Sequence, residues 1–335
     1  MGCAGSTVLE RCADLAYHCG VSSMVTAHEV VRCPLCGREG WPGDRFCEAD
    51  GAPLIPTASA GEAVAPAVLA PAYDLAAATH RGRTHEVNED AVAVGRRQLH
   101  GVPLHVLVVC DGVSASSHGE QASAQAARAA LDTLLAAVAG PGPVDRDAAL
   151  REAVRAAHRA ACIPGIEPAP GEDPPGTTLV AAVAQGGRVD VAWVGDSRAY
   201  LLSPAPPGGG PAAVALLTRD HTWMNEVVAS GELTAAEAAR SPDAHALTRC
   251  LGPLEDPDPD RAPEPSLAAV AAVAGSRLVV CSDGLWNGAA GALELAALAA
   301  DLPPGADARS LALDLVRQAV ATGARDDVTA AVALL

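Results

Sequence analysis

The 335-residue chain has no lysine: all 23 of its basic residues are arginine, against 40 carboxylates, and its formal charge is −17. Gripping a nucleic-acid backbone requires clustered cations, so nucleic acid is not expected as a general partner. There is a single phenylalanine, while Ala, Gly and Pro are abundant. This bias looks like that of a GC-rich bacterial genome rather than an adaptation to function. No stretch of eighteen uninterrupted apolar residues occurs, so a membrane-spanning helix is not expected. The start has no basic segment followed by an apolar run, which argues against a signal peptide. A cytoplasmic protein without membrane association is therefore expected. Met1-Gly2-Cys3-Ala4-Gly5-Ser6 meets the loose myristoylation pattern, but the bacterial composition argues against the modifying enzyme.

The ten cysteines do not read as a disulfide framework. Cys110, Cys162, Cys250 and Cys281 stand singly in apolar or helical surroundings, where a free thiol behaves as a small core residue. A reducing compartment follows. Residues 1–29 carry little pattern, and Met24 is an alternative start. Residues 30–56 resemble a zinc ribbon: Cys33-Pro34-Leu35-Cys36-Gly37 forms one knuckle, and Cys47-Glu48-Ala49-Asp50-Gly51 stands where the second belongs. Carboxylate oxygen is an acceptable zinc ligand, so one structural zinc on Cys33, Cys36, Cys47 and Asp50 is one reading. Cys12, His18, Cys19 and His28 compete for the fourth position, and a degenerate ribbon without metal is the other reading. Either way the module reads as a clip or a docking surface for a regulatory protein. Residues 57–71, nearly all Ala, Pro and Gly, read as a flexible linker.

Residues 72–335 form the main domain. Apolar, β-biased runs predict strands at Leu104–Cys110, Leu179–Ala184, Val189–Val194, Ala199–Leu202, Arg277–Cys281 and Val328–Leu335. Helical spacing predicts a long pair at Gly119–Val138 and Asp147–Ala161, and further helices at 222–230, 234–240, 292–300 and 308–321. Strand pairs next to helix pairs favour a layered α+β sandwich over a doubly wound parallel sheet.

Acidic signatures punctuate this domain: Asn88-Glu89-Asp90, Cys110-Asp111-Gly112, Gly195-Asp196-Ser197-Arg198, Ser282-Asp283-Gly284 and Arg325-Asp326-Asp327. Asp111 and Asp283 share one grammar, in which an apolar run ends at Asp-Gly. A buried strand thus delivers a carboxylate to the rim of a sheet, and the glycine lets backbone approach an ion closely. Several such acids directed into one cleft make an all-oxygen site for hard divalent cations.

The order of these motifs resembles that of the metal-dependent serine/threonine phosphatases of type 2C, the PPM family, of bacterial type. The resemblance covers residues 74–335. It runs from Gly82 and Asn88-Glu89-Asp90 through Val109-Cys110-Asp111-Gly112, Gly119-Glu120-Gln121-Ala122-Ser123, Gly176-Thr177-Thr178 and Gly195-Asp196-Ser197-Arg198-Ala199-Tyr200. It continues with Thr218-Arg219-Asp220-His221, Thr248-Arg249-Cys250-Leu251-Gly252, Cys281-Ser282-Asp283-Gly284-Leu285-Trp286 and Gly323-Ala324-Arg325-Asp326-Asp327-Val328-Thr329. It implies a four-layer α-β-β-α sandwich holding two manganese or magnesium ions. Asp111 would bridge both, Asp283 and Asp326 would hold the first, and Glu89, Asp90 and the Gly112 carbonyl the second. A third, weaker site would use Asp173 with Asp283.

The implied activity is hydrolysis of phosphoserine and phosphothreonine on proteins, the products of a Ser/Thr kinase, by direct attack of a metal-bridging water. A phosphoprotein sensor without turnover and a hydrolase of a small phosphorylated metabolite are the competing readings.

The chain also departs from the pattern. His85 stands where the family places its phosphate-gripping arginine, with Arg83 two residues earlier. Val113-Ser114-Ala115 replaces Met-Gly-Gly, Asn287 replaces a third-site aspartate found in some relatives, and Asp327 stands where Asn is common. Asp196 and Arg198 read as a structural turn and ion pair, His118 and His221 as loop hydrogen-bond partners or proton donors, and Trp193 and Trp286 as core aromatics. The segment Thr222 to Asp243 falls where relatives carry a mobile flap, a candidate substrate-selecting element.

Overall fold

The computed structural model describes residues 31–32, 39–40 and 66–335, the last range without 100, 140–143, 164–165, 167, 169–170, 172, 206–211 and 289–305. The chain divides into two compact units, Met1–Glu62 and Ala63–Leu335. In the first unit, β1 (Val31–Arg32) pairs antiparallel with β2 (Glu39–Gly40) in the register Val31↔Gly40 and Arg32↔Glu39. Cys33 and Cys36 fall in the connection between them. These cysteines, Cys47, Asp50 and the helix expected at 292–300 lie outside the described residues.

The second unit contains two antiparallel sheets. One has six strands: β3 (Ala67–Ala72), β4 (Leu75–His80), β9 (Arg198–Ser203), β10 (Ala213–Leu216), β12 (Arg277–Cys281) and β13 (Val328–Leu334), in the order β10-β9-β12-β13-β4-β3. The other has five: β5 (Asp90–Leu99), β6 (Val102–Asp111), β7 (Leu179–Gln185), β8 (Arg188–Val194) and β11 (Ser266–Ala271), in the order β11-β8-β7-β6-β5.

Alternation along β6 shows how the layers stack. Val106, Val108 and Cys110 pack with α1 (Gly119–Ala137) and α2 (Arg146–Ala161), whereas Leu107 and Val109 join a core with Leu278, Val280, Ala331 and Ala333 of the facing sheet. Successive side chains of a strand point to opposite faces, so a strand covered on both sides reads as one continuous apolar run. On the far side, α6 (Ala308–Ala321) covers Ala76, Ala78, Val279 and Val332. The layers are therefore α-β-β-α, with three cores. Each fully buried leucine, such as Leu134 or Leu315, contributes about 1.5–3 kcal/mol relative to an exposed one.

Helix ends follow their caps. Asp145 accepts from the Ala148 N–H at 3.0 Å and Asp307 from the Ser310 N–H at 2.7 Å, each satisfying an amide that the first turn leaves unpaired. The predicted flap contains α3 (Trp223–Ser230), stopped by Gly231 at φ +79°, and α4 (Ala235–Ala238), begun by the Thr234–Glu237 capping box.

The linker expected over 57–71 is too long at its C-terminal side. β3 starts at Ala67 and pairs with β4 from Ala67↔Thr79 to Leu69↔Ala77, with a register shift before Ala72. An edge strand tolerates Pro71 next to such an irregularity because no ladder N–H is demanded there.

Candidate metal-dependent active site

The inner strands of both sheets deliver acids to the same end of the sandwich. In the five-stranded sheet Asp90 opens β5 directly opposite Asp111, which closes β6. In the six-stranded sheet Cys281 closes β12 and Asp326-Asp327 immediately precede β13. Asp283 lies just past the end of β12 and is the first residue of a short helix, α5 (Asp283–Gly288).

Close backbone packing holds these loops together. A Cβ on Gly82 would collide with the Asp326 carbonyl, and one on Gly284 with the Asp327 carbonyl. Only glycine permits the 82–90, 283–288 and 325–327 segments to meet this way. The Glu89 carbonyl accepts from the Gly112 N–H at 3.1 Å and the Ser123 hydroxyl at 2.6 Å. The Asp111 carbonyl accepts from the Thr178 N–H at 2.8 Å and the Thr177 hydroxyl at 3.0 Å. Ser282 donates to Asp90 Oδ2 at 2.7 Å and accepts from the Thr329 N–H at 3.0 Å.

Beyond these bonds the cluster is short of donors. Glu89 Oε2, Asp90 Oδ1 and Asp283 Oδ1 are buried without a hydrogen-bond partner. A buried carboxylate oxygen lacking a donor is costly, and the protonation equilibria reflect this. Burial first, then the neighbouring Asp90, Asp283, Asp196 and Asp326 charges, pushes Asp111 well above the usual carboxylate range. Burial, only partly offset by the Thr329 and Ser282 hydrogen bonds, pushes Asp90 up to about 8. Asp283 is pushed up to about 6 by burial and by Asp326, and burial raises Glu89 despite the attraction of His85. Orphaned oxygens and mutually repelling acids are what a divalent cation satisfies, so the residues present fit a hard-metal centre.

The remaining candidates are placed as follows. Asp173 contributes its carbonyl to the loop after Gly112, accepting from the Ser117 N–H at 2.9 Å, and its own carboxylate side is exposed. Arg83 is exposed, with its backbone N–H on the Arg325 carbonyl at 2.7 Å. The His85 imidazole lies among acids: Nδ1 is 3.3 Å from Asp327 Oδ2 and 3.4 Å from Asp326 Oδ1, and Nε2 is 4.0 Å from Glu89 Oε2.

Two other readings need correcting. Arg198 pairs with Asp220, not Asp196, and Asp196 is pushed up to about 7 by burial and then by Asp283. Its carboxylate thus belongs to the electrostatics of the cluster. Trp286 is only half-buried; it lies under the Arg198 guanidinium and donates to the Asp196 carbonyl at 3.2 Å. His221 is a structural hydrogen-bond partner, accepting from the Gly195 N–H at 3.1 Å and lying 2.9 Å from the Ser266 hydroxyl. The sequence marked Asp327 only as a departure and gave it no role, yet it is 2% exposed and accepts two backbone N–H groups.

A family model described as Protein phosphatase 2C matches residues 78–318. The serine/threonine protein phosphatase PstP of Mycobacterium tuberculosis is 33% identical over 260 residues, a match spanning 77% of this chain and 44% of that relative. The chain therefore spans less than half the length of that curated relative. Among solved structures, the PPM Ser-Thr phosphatase MsPP of Mycobacterium smegmatis, in complex with cacodylate, superposes with a TM-score of 0.55 at 32% identity, covering 78% of this chain and 97% of that one. The catalytic domain of PstP in complex with two manganese ions gives 0.54 at 30% identity, covering 77% and 96%.

Proposed function

Because this chain belongs to the protein phosphatase 2C family, we propose that it is a metal-dependent protein phosphatase acting on phosphoserine and phosphothreonine. The observation that carries the reading is that buried carboxylate oxygens of Glu89, Asp90 and Asp283 lack a donor, while Asp111 lies opposite Asp90 and feels the charges of both Asp90 and Asp283. Asp111, Asp283 and Asp326 would hold one manganese or magnesium ion, and Asp111, Glu89, Asp90 and the Gly112 carbonyl a second. Asp173 would contribute with Asp283 to a third, weaker site. Such ions supply an activated water and neutralise phosphoryl oxygens during in-line displacement.

The chain's own residues set the rest. Ser282, Thr329, Thr177 and Thr178 hold the acids in register through the hydrogen bonds described above, and no cysteine nucleophile is called for. Burial pushes the Cys110 thiol well above its usual value and the Cys281 thiol up too, which keeps both uncharged and unreactive. Arg83 is the better candidate for gripping the substrate phosphate. Its side chain is exposed, whereas the His85 Nδ1 faces Asp327 and Asp326.

The expected substrates are phosphoproteins produced by a Ser/Thr kinase, met in the cytoplasm of a bacterium. No helix among the described residues is long and apolar enough to cross a membrane. The organisation proposed is a zinc-ribbon-like module at 30–56 that recruits a regulatory protein, a linker, and the phosphatase domain. What favours the module is the spacing of Cys33, Cys36 and Cys47 in the sequence. Zinc bound by the intact chain, and lost in Cys33→Ser and Cys36→Ser, is the expected result; no zinc in the reduced wild type would leave the degenerate reading.

The activity is tested by assaying the purified chain on a phosphothreonine peptide and an aryl phosphate with manganese, beside Asp111→Asn and Asp283→Asn. Turnover should require the metal and fall by about three orders of magnitude in each variant, several kcal/mol of lost transition-state stabilisation. Metal-independent turnover, or unchanged turnover in both variants, would sink the proposal. Metal binding without hydrolysis of any phosphate ester would favour the sensor.

A further inference from the structure

Asp327 bonds both ends of the loop that carries Glu89. Its Oδ1 accepts from the Gly82 N–H at 2.7 Å, and its Oδ2 accepts from the Glu89 N–H at 2.7 Å. The His85 Nδ1 lies 3.3 Å from the same Oδ2. A carboxylate only accepts, so all three groups meet it as donors, and the three residues come from sequence positions more than 235 away. The side chain is almost wholly buried, at 3% exposure, so each of these charge-assisted bonds is shielded from water.

We infer that Asp327 is the positioning residue of the metal centre: by clamping Gly82 and Glu89 it fixes the backbone from which the Glu89 carboxylate enters the cluster. The inference rests on the reading of that cluster as a divalent-cation site. The Glu89 peptide is held on both sides, its N–H by Asp327 and its carbonyl by Gly112 and Ser123. The two peptide units flanking the Glu89 Cα are thus both fixed, which sets the direction in which its side chain leaves the backbone and with it the buried Oε2 atom, which has no hydrogen-bond donor of its own. An asparagine has one accepting oxygen and an NH2 group. It would satisfy one of the two N–H groups and turn a donor toward the other. The carboxylate is thus matched to this loop, in which His85 adds a third donor.

Removing Asp327 should loosen the Glu89 end without releasing the loop. The Arg83 and Thr84 N–H groups stay on the Arg325 carbonyl at 2.7 and 3.0 Å, and the Thr84 hydroxyl at 2.9 Å.

The test is Mn2+ binding to the purified full chain, read by calorimetry and by the loss of the free-ion electron paramagnetic resonance signal, so that it does not depend on turnover. Asp327→Ala and Asp327→Asn should keep the wild-type far-ultraviolet spectrum while Mn2+ affinity falls about tenfold to a hundredfold, the usual effect of losing an orienting partner. Glu89→Gln should weaken binding in the wild type and add little on top of Asp327→Ala, because the two act through one carboxylate. Wild-type affinity in both Asp327 variants, or additive losses in the Asp327→Ala/Glu89→Gln pair, overturns the inference. A lower melting temperature with unchanged affinity also overturns it, since that is the result of a purely structural role. If Asp327→Ala does not fold, the near-isosteric Asp327→Asn decides. A wild type that binds Mn2+ but hydrolyses no phosphopeptide counts against the phosphatase reading and leaves this inference standing; one that binds no Mn2+ overturns both.

Discussion

Arg198 and Asp220 form a two-pronged ion pair, Nε to Oδ1 at 2.9 Å and Nη2 to Oδ2 at 2.7 Å, and the same guanidinium lies 3.4 Å from the ring centre of Trp286. One side chain therefore ties β9, the loop before the flap, and α5, whose first residue is Asp283. Planar geometry is needed for both the fork and the stacking, and lysine offers neither. Arg198→Ala should destabilise the metal-free protein by on the order of 3 kcal/mol, because it strands Asp220 in a largely buried position. Arg198→Lys should recover only part of that loss. Urea titrations of the three proteins check the order.

The raised acids predict how metal and pH are linked. A carboxyl whose folded-state value exceeds its unfolded value holds more protons when folded, so its contribution is present below the unfolded value and drains away as the pH rises. For Asp283, Asp196 and Asp90 the drain runs from the ordinary value of 3.8 up to about 6, 7 and 8. The melting temperature of the chelator-treated protein should fall between about pH 5 and about pH 8, while the increment given by Mn2+ should grow over the same interval. An increment that shrinks with pH would contradict the assignment.

Gly82→Ala places a methyl against the Asp326 carbonyl. The 325–327 backbone must shift to admit it, at about 1–3 kcal/mol. Both metal affinity and turnover should drop by at least about tenfold, with the far-ultraviolet spectrum preserved, because the strands behind the loop are not involved.

His221 is held neutral, burial pushing its imidazole down to about 4, and both ring nitrogens face protein groups. His221→Ala should cost about 1–3 kcal/mol through the unsatisfied Gly195 N–H. The inflections of the pH–rate profile should stay where they are in the wild type. A lost inflection in His221→Ala would make it a proton donor after all.

Legibility of the fold tracked side-chain size. β6, β7, β8, β12 and β13 were readable because each carries three or more Val or Leu. β4 (Leu-Ala-Ala-Ala-Thr-His) and β11 (Ser-Leu-Ala-Ala-Val-Ala) were not, since alanine has little strand preference and burial between layers decides its conformation. β5 was hidden by Gly95 and by the Arg96-Arg97-Gln98 run. At the site, Asp111 and Asp283 announced themselves through apolar runs ending at Asp-Gly. The work of Asp327 and the true partner of Arg198 depend on contacts between distant segments, which neither spacing nor composition encodes.

β13 lies between β4 and β12, near the middle of its sheet, and it alone brings Asp326 and Asp327 to the rim. The 82–90, 111–112 and 283–284 segments are all made before that strand exists as a nascent chain emerges. Asp90 and Asp111 are already paired across β5 and β6, but Asp326 reaches them only once residues 328–334 have closed the six-stranded sheet. The two halves of the acid cluster, Asp90 with Asp111 and Asp283 with Asp326, are therefore joined only through the pairing of one strand with both of its neighbours.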